Sequence, residues 1–188
     1  AVAGASNRSD LLAVSVVAFA IYFLFPANLL IYGINDIFDF ETDKLNPKKQ
    51  EYEALVRPAE HRGLLFAILI TNLPFVIGAF FLNGVVKISI VGFLLLSVFY
   101  SARPIRAKAI PIVDSMFNAL YFLPGIFAYG LMAGELPPVT VIIAAFLWTM
   151  AMHAYSAIPD IQADTEAGVE TIATLLRKEG TLLFCSAC

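Results

Sequence analysis

The sequence predicts an all-α fold: a polytopic transmembrane helical bundle with about five complete spans plus the start of a sixth. Three observations predict it. Hydrophobic residues fill 60% of the 188 positions and charged residues only 14%, against roughly a quarter charged in soluble domains. The charges cluster and leave five long uncharged runs. Ten of the twelve Lys and Arg then fall on one side of the membrane. This composition excludes a disordered chain, a basic nucleic-acid binder and a disulfide-stapled secreted module. The partner it implies is the lipid bilayer, with no nucleic acid and no inferable protein partner.

The first run lies between Asp10 and Asp36, 25 residues without a charge, enough to span with some tilt. The second goes from Gly63 to Val86 and the third from Ile88 to Ala102. The third is short, but Lys87 and Arg103 at its ends can snorkel to the interfaces. Asn83-Gly84 supplies a turn between the two. The fourth covers Ser115 to Gly134 and the fifth Leu136 to Pro159, parted by Glu135 and Pro137-Pro138. Backbone facing lipid must satisfy its own hydrogen bonds, so each run is read as a helix.

Orientation follows from the basic residues. Lys44, Lys48, Lys49, Arg57 and Arg62 come after span one, Arg103, Arg106 and Lys108 after span three, and Arg177 and Lys178 after span five. Only Arg8 and Lys87 lie opposite. The positive-inside bias makes the crowded side cytoplasmic. The chain opens at Ala1 with no signal-peptide pattern, and a last apolar run from near Thr181 stops after eight residues. The expectation is therefore one transmembrane domain over residues 1–188, incomplete at both ends.

Two acidic clusters share the cytoplasmic side. The first reads Asn35-Asp36-Ile37-Phe38-Asp39-Phe40-Glu41-Thr42-Asp43. If span one continues as a helix, Asp36, Asp39 and Asp43 stand at i, i+3 and i+7 on one face. Like charges so placed repel by a few tenths of a kcal/mol per pair, so helix stability does not favour them. A hard divalent cation reverses that sign, and Mg²⁺ commonly takes one or two carboxylates plus substrate phosphates. The second cluster, Asp160-Ile161-Gln162-Ala163-Asp164-Thr165-Glu166-Ala167-Gly168, repeats two carboxylates at i and i+4. Pro159 before it is expected to kink or end the helix. Between them in sequence, Tyr100-Ser101-Ala102-Arg103-Pro104-Ile105-Arg106-Ala107-Lys108 forms a basic loop on the same side. Its charges suit phosphate oxygens. They are also what ordinary positive-inside anchors look like. Level with two acidic clusters, the loop reads better as the other half of a metal–diphosphate clamp.

These residues resemble a family. The first cluster looks like the NDxxDxxxD motif, and the second like the DxxxDxxxG motif, of the UbiA superfamily of intramembrane prenyltransferases. The stretch Tyr100-Ser101, Arg103-Pro104, Arg106 and Lys108 is similar to that family's basic loop. In the family the motifs follow the second and sixth helices. Here they follow the first and fifth spans, which fits a fragment lacking one helix before and others after. The stretches Asp43-Lys44-Leu45-Asn46-Pro47-Lys48-Lys49 and His153-Ala154-Tyr155-Ser156-Ala157-Ile158-Pro159-Asp160 look most like lycopene elongases, which add a C5 unit to the ends of a C40 carotenoid.

The resemblance implies Mg²⁺ as cofactor, with Asp36, Asp39, Asp43, Asp160 and Asp164 as metal ligands or their support. Of these, Asp36, Asp39, Asp160 and Asp164 would be catalytic. Asn35, Arg103, Arg106 and Lys108 would contact the diphosphate of an allylic donor. The allylic cation left by its departure needs shelter from water and attack by a lipophilic acceptor. Tyr32, Phe38, Tyr100, Tyr121 and Tyr155 are candidates for that shelter. Rival readings are the same transfer to an aromatic, quinone-precursor or glycerol-phosphate lipid acceptor, and a cation-coupled transporter. Transporters usually place such carboxylates near the bilayer midplane, whereas these lie at helix ends. A soluble prenyl-chain synthase is disfavoured by five uncharged spans.

Single polar residues have bland readings as well. His153, seven residues before Asp160, could orient a carboxylate or accept a proton, or could be a satisfied buried histidine. Asp114 is expected near the interface, complementing its helix dipole. Asn118 and Tyr121 could line a cavity or join helices. Cys185 and Cys188 have CxxC spacing without a second pair and are assigned no function.

Overall fold

The computed structural model describes residues 2–44 and 55–188. Within them every regular element is a helix, with no strand. Lys48 and Lys49, and with them most of the elongase-like stretch after Asp43, lie outside the described residues. Five helical stretches are long and apolar enough to cross a membrane: Val14–Glu41, His61–Ala79, Gly84–Ser101, Val113–Ala133 and Val139–Glu166. The five spans read from the sequence are all present.

Three of them are broken beside a proline. Span one consists of α1 (Val14–Leu24) and α2 (Pro26–Asp43). Pro26 has no N–H to continue the ladder. The carbonyls exposed by the break are recaptured by side chains: Asn28 Nδ2 donates to the Phe23 and Leu24 carbonyls at 2.9 Å each. Across the interface, Asn72 Nδ2 donates to the Pro26 carbonyl at 3.0 Å. Asn72 sits on α3 (His61–Ala79), and α4 (Gly84–Ser101) follows after Asn83, which accepts from the Val86 N–H at 3.1 Å as its N-cap.

The fourth span, one continuous run by hydropathy, is divided. It consists of a short α5 (Val113–Phe117), a 3-10 turn at Asn118–Tyr121, and α6 (Leu123–Ala133). Pro124 explains the change: its ring collides with the carbonyl four residues back, at Leu120, and tightens that turn. The fifth span is α7 (Val139–Ser156), closed by a 3-10 turn at Ile158–Asp160 around Pro159, as expected, and followed by α8 (Ile161–Glu166). The last helix, α9 (Ile172–Ala187), begins well before the Thr181 start read from hydropathy. A residue of positive φ inside it, Arg177 at φ 56, opens a short charged stretch, Arg177-Lys178-Glu179, between its first turn and the apolar remainder.

α4 packs chiefly on α6, α2 on α3 and α4, and α9 on α7. The core is aromatic. Phe19 meets Phe127 at 4.6 Å between ring centroids, Tyr22 meets Phe75 at 5.2 Å, and Phe23 stands edge-on to Phe93 at 5.5 Å. Large apolar side chains such as Phe66, Leu69, Val139 and Trp148 point outward. Such a surface suits lipid and not water. The protein is a multi-pass integral membrane protein.

Candidate active site

The site begins in the second half of α2. Asn35 and Asp39, one turn apart, face the end of α4 and the loop that follows it. Ser101 Oγ, the last residue of α4, donates to Asn35 Oδ1 at 2.7 Å. Lys108 reaches the same amide oxygen at 3.3 Å and also donates to Asp39 Oδ2. Arg106 approaches the other Asp39 oxygen at 3.9 Å. Two cations of the basic loop thus converge on one buried carboxylate.

Local backbone makes that convergence possible. Arg106 adopts a left-handed conformation at φ 48, which costs a side-chain-bearing residue roughly 1–2 kcal/mol. It ends the turn after α4 and starts the short 3-10 turn Ala107–Ala109 that carries Lys108. Burial pulls the Lys108 ammonium down to about 8, opposed by the negative charges of Asp164 and Asp36. Both acidic motifs therefore act on a single lysine, although they stand far apart in sequence.

Asp36 and Asp43 are half-buried on the same helix, and Arg103 is exposed. In the second motif Asp160 is exposed and Asp164 half-buried. The glycine of that motif acts through its backbone. Gly168, at φ 68, ends α8. Its reversal lets the Val169 N–H return to the Asp164 carbonyl at 2.8 Å. Beside this turn a cleft of about 450 Å³ opens between Pro111, Thr165, Glu170 and Arg177.

The aromatic candidates separate into two groups. Tyr100 is half-buried and stands edge-on to His153. Tyr32, Phe38, Tyr121 and Tyr155 are exposed. A small apolar cavity of about 80 Å³ lies between Phe23, Ala27, Ile31, Phe93, Leu120 and Pro124. Ile31 is one helical turn below Asn35, so the cavity opens on the clamp's side of α2.

Among the described residues no three His, Cys, Asp or Glu side chains already form a metal cage. The donor chemistry nevertheless fits Mg²⁺. It is all hard oxygen, and that ion ordinarily takes one or two carboxylates, completing its shell with phosphate and water.

One polar cluster is only half legible in the sequence. Asp114, at the start of the fourth span, is fully buried. Its carboxylate accepts the Ser115 N–H at 2.7 Å and, from the start of α9, the Ile172 N–H at 2.8 Å. It does complement a helix N-terminus, but the helix it chiefly serves lies 58 residues further on. His153 Nε2 stands 3.6 Å from the same carboxylate. Because α7 ends at Ser156, His153 and Asp160 do not share one regular helix.

A model of the UbiA prenyltransferase family matches residues 1–188. The chain belongs to that family. Among curated UbiA relatives, the lycopene elongase/hydratase of Haloferax volcanii is 40% identical over 188 residues, covering 98% of this chain and 61% of that protein. The lycopene elongase/hydratase of Haloarcula japonica is 38% identical over 195 residues, covering 98% and 62%. The chain thus spans about three fifths of the length of these relatives. A UbiA homologue from Archaeoglobus fulgidus, solved with GPP and Mg²⁺, shares the fold at a TM-score of 0.70 and 24% identity, over 84% of this chain and 56% of that one. The same homologue with DMAPP and Mg²⁺ gives a TM-score of 0.69 at 23% identity, over 84% and 57%.

Proposed function

We propose that this UbiA-family protein is a Mg²⁺-dependent prenyltransferase that moves a C5 unit from an allylic diphosphate to a lipophilic polyene such as lycopene. The observation that carries the reading is the meeting of Lys108 and Arg106 on Asp39 and Asn35, within the field of Asp164. Cations, amide and carboxylates at one membrane level are what a diphosphate with its counter-ion needs. The names of the Haloferax and Haloarcula relatives support lycopene as acceptor, and the Archaeoglobus homologue was solved with a prenyl diphosphate and Mg²⁺ on this fold. The ten basic residues on one face support a cytoplasmic site.

In this mechanism Asn35, Arg103, Arg106 and Lys108 hold the diphosphate oxygens, and Lys108 exchanges Asp39 for one of them. Asp36, Asp39, Asp43, Asp160 and Asp164 would hold the ion. When bound, Mg²⁺ would supply charge neutralisation on the leaving diphosphate. Tyr100, half-buried, and Tyr121, at the apolar cavity, keep water from the allylic cation, and their ring faces stabilise its charge. The apolar cavity below Asn35 receives the hydrocarbon of the donor. A cation transporter is not favoured, since the carboxylates lie at helix ends among residues matching prenyltransferases.

The test supplies the protein in membranes with dimethylallyl diphosphate, Mg²⁺ and, separately, lycopene or 4-hydroxybenzoate, with products read by mass. C5 addition to lycopene that chelation abolishes is expected. Transfer only to the aromatic acid would overturn the acceptor, and cation uptake without diphosphate release would overturn the enzyme.

A further inference from the structure

Asp114 and His153 are the polar pair that the diphosphate clamp leaves unused. Asp114 is wholly buried, and both of its oxygens accept backbone N–H bonds, so its position is fixed from two sides. His153 Nε2 lies 3.6 Å from that carboxylate, with the side chain 16% exposed. The imidazole also stands edge-on to Tyr100, with ring centroids 6.2 Å apart and planes at 87°. Tyr100 precedes Ser101, which binds Asn35. His153 is therefore one side chain removed from the diphosphate cradle. It lies three residues inside the end of α7, on the hydrocarbon side of the second acidic motif.

Transfer to an alkene needs a proton acceptor. The donor's carbon–oxygen bond breaks and its electron pair leaves with diphosphate. The allylic carbon then bonds to the acceptor's terminal double bond, and the positive charge moves to a tertiary carbon. To finish as an alkene, the adjacent C–H bond must give its electrons to a new C=C and its proton to a base. The motif carboxylates are committed to cations. An imidazole backed by a buried carboxylate is suited to take a proton, because the carboxylate orients the ring and stabilises the imidazolium formed.

We infer that His153, positioned by Asp114, accepts the proton released when the new carbon–carbon bond is completed as an alkene. This rests on the prenyltransferase reading above and assigns a residue to its last step.

The experiment compares wild type with His153→Gln and His153→Ala in membranes with dimethylallyl diphosphate, Mg²⁺ and lycopene. Folding is followed by melting in detergent. Three quantities are read: first-turnover diphosphate release, the elongated alkene, and the alcohol heavier by one water. Diphosphate release is expected to stay within about threefold of wild type. The alkene share should fall roughly tenfold or more, replaced by alcohol. Added imidazole should restore alkene in His153→Ala and not in His153→Gln. An unchanged alkene share in folded variants, a wild-type product that is alcohol alone, or loss of the fold in both variants overturns the assignment. Absence of any transfer by wild type overturns instead the reading on which it rests.

Discussion

Lys108, carried by a short turn after α4, reaches Asp39 on α2 and places an ammonium against a carboxylate only 4% exposed. Removing one partner of a buried pair costs about 3–5 kcal/mol, because the other charge stays buried. Lys108→Met keeps the length and apolar stem but not the charge. It is expected to lower the detergent melting temperature and abolish transfer. An unshifted melting curve would show that Arg106, at 3.9 Å, suffices for Asp39.

Asp36 and Asp160 belong to different motifs, and neither is buried. Asp36→Asn and Asp160→Asn should therefore leave the protein folded. Each should lower turnover by about a hundredfold or more, the scale for losing a group that stabilises transition-state charge. Chelation of wild type should do the same, reversed by added Mg²⁺. Near-normal turnover in both variants would dismiss the two-motif clamp.

Gly130 marks the closest approach of α6 to α4. A Cβ there would sit 2.4 Å from Val85 Cγ1 and 2.9 Å from Val85 Cβ. Valine is β-branched and stiff and cannot swing aside. Gly130→Ala is thus expected to destabilise by about 1–3 kcal/mol. Gly125→Ala, with nothing within 4 Å, should stabilise by about 0.5–1 kcal/mol through helix propensity. Equal melting shifts for the two would contradict this packing.

Asn72 is buried and ties α3 to the break before α2 through the Pro26 carbonyl. Asn72→Leu keeps the branched shape but leaves that carbonyl without the amide. A loss of about 1–3 kcal/mol is expected, measured by thermal unfolding in detergent. If stability is unchanged, the break is held by Asn28 alone.

The spans are legible in the sequence because lipid imposes a one-dimensional rule: an uncharged run of sufficient length and little else. The breaks are legible in part. Pro159 stands at the end of an apolar run and marks the end of α7, whereas Pro26 and Pro124 interrupt runs whose hydropathy is continuous and carries no sign of them. The sequence puts Arg103, Arg106 and Lys108 on one side of the membrane without saying which would meet Asp39. That choice follows from the left-handed turn at Arg106, which leaves Arg103 exposed. Asp114 carries a polar signal in the sequence. Its bond to Ile172, however, joins positions far apart along the chain, and no local pattern encodes that.

The contacts of Asp114 have a topological effect. It touches His153 before the second acidic motif and Ile172 after it. The stretch 154–171 is thereby clasped at its base into a ring. Closing a flexible loop carries an entropy cost that grows with the logarithm of its length. Here that cost is met when the chain folds. In the proposed mechanism Asp160 and Asp164 would then meet a diphosphate from a stretch whose ends no longer wander. Freeing the ring at its Ile172 end should weaken donor binding without altering any residue that touches the donor.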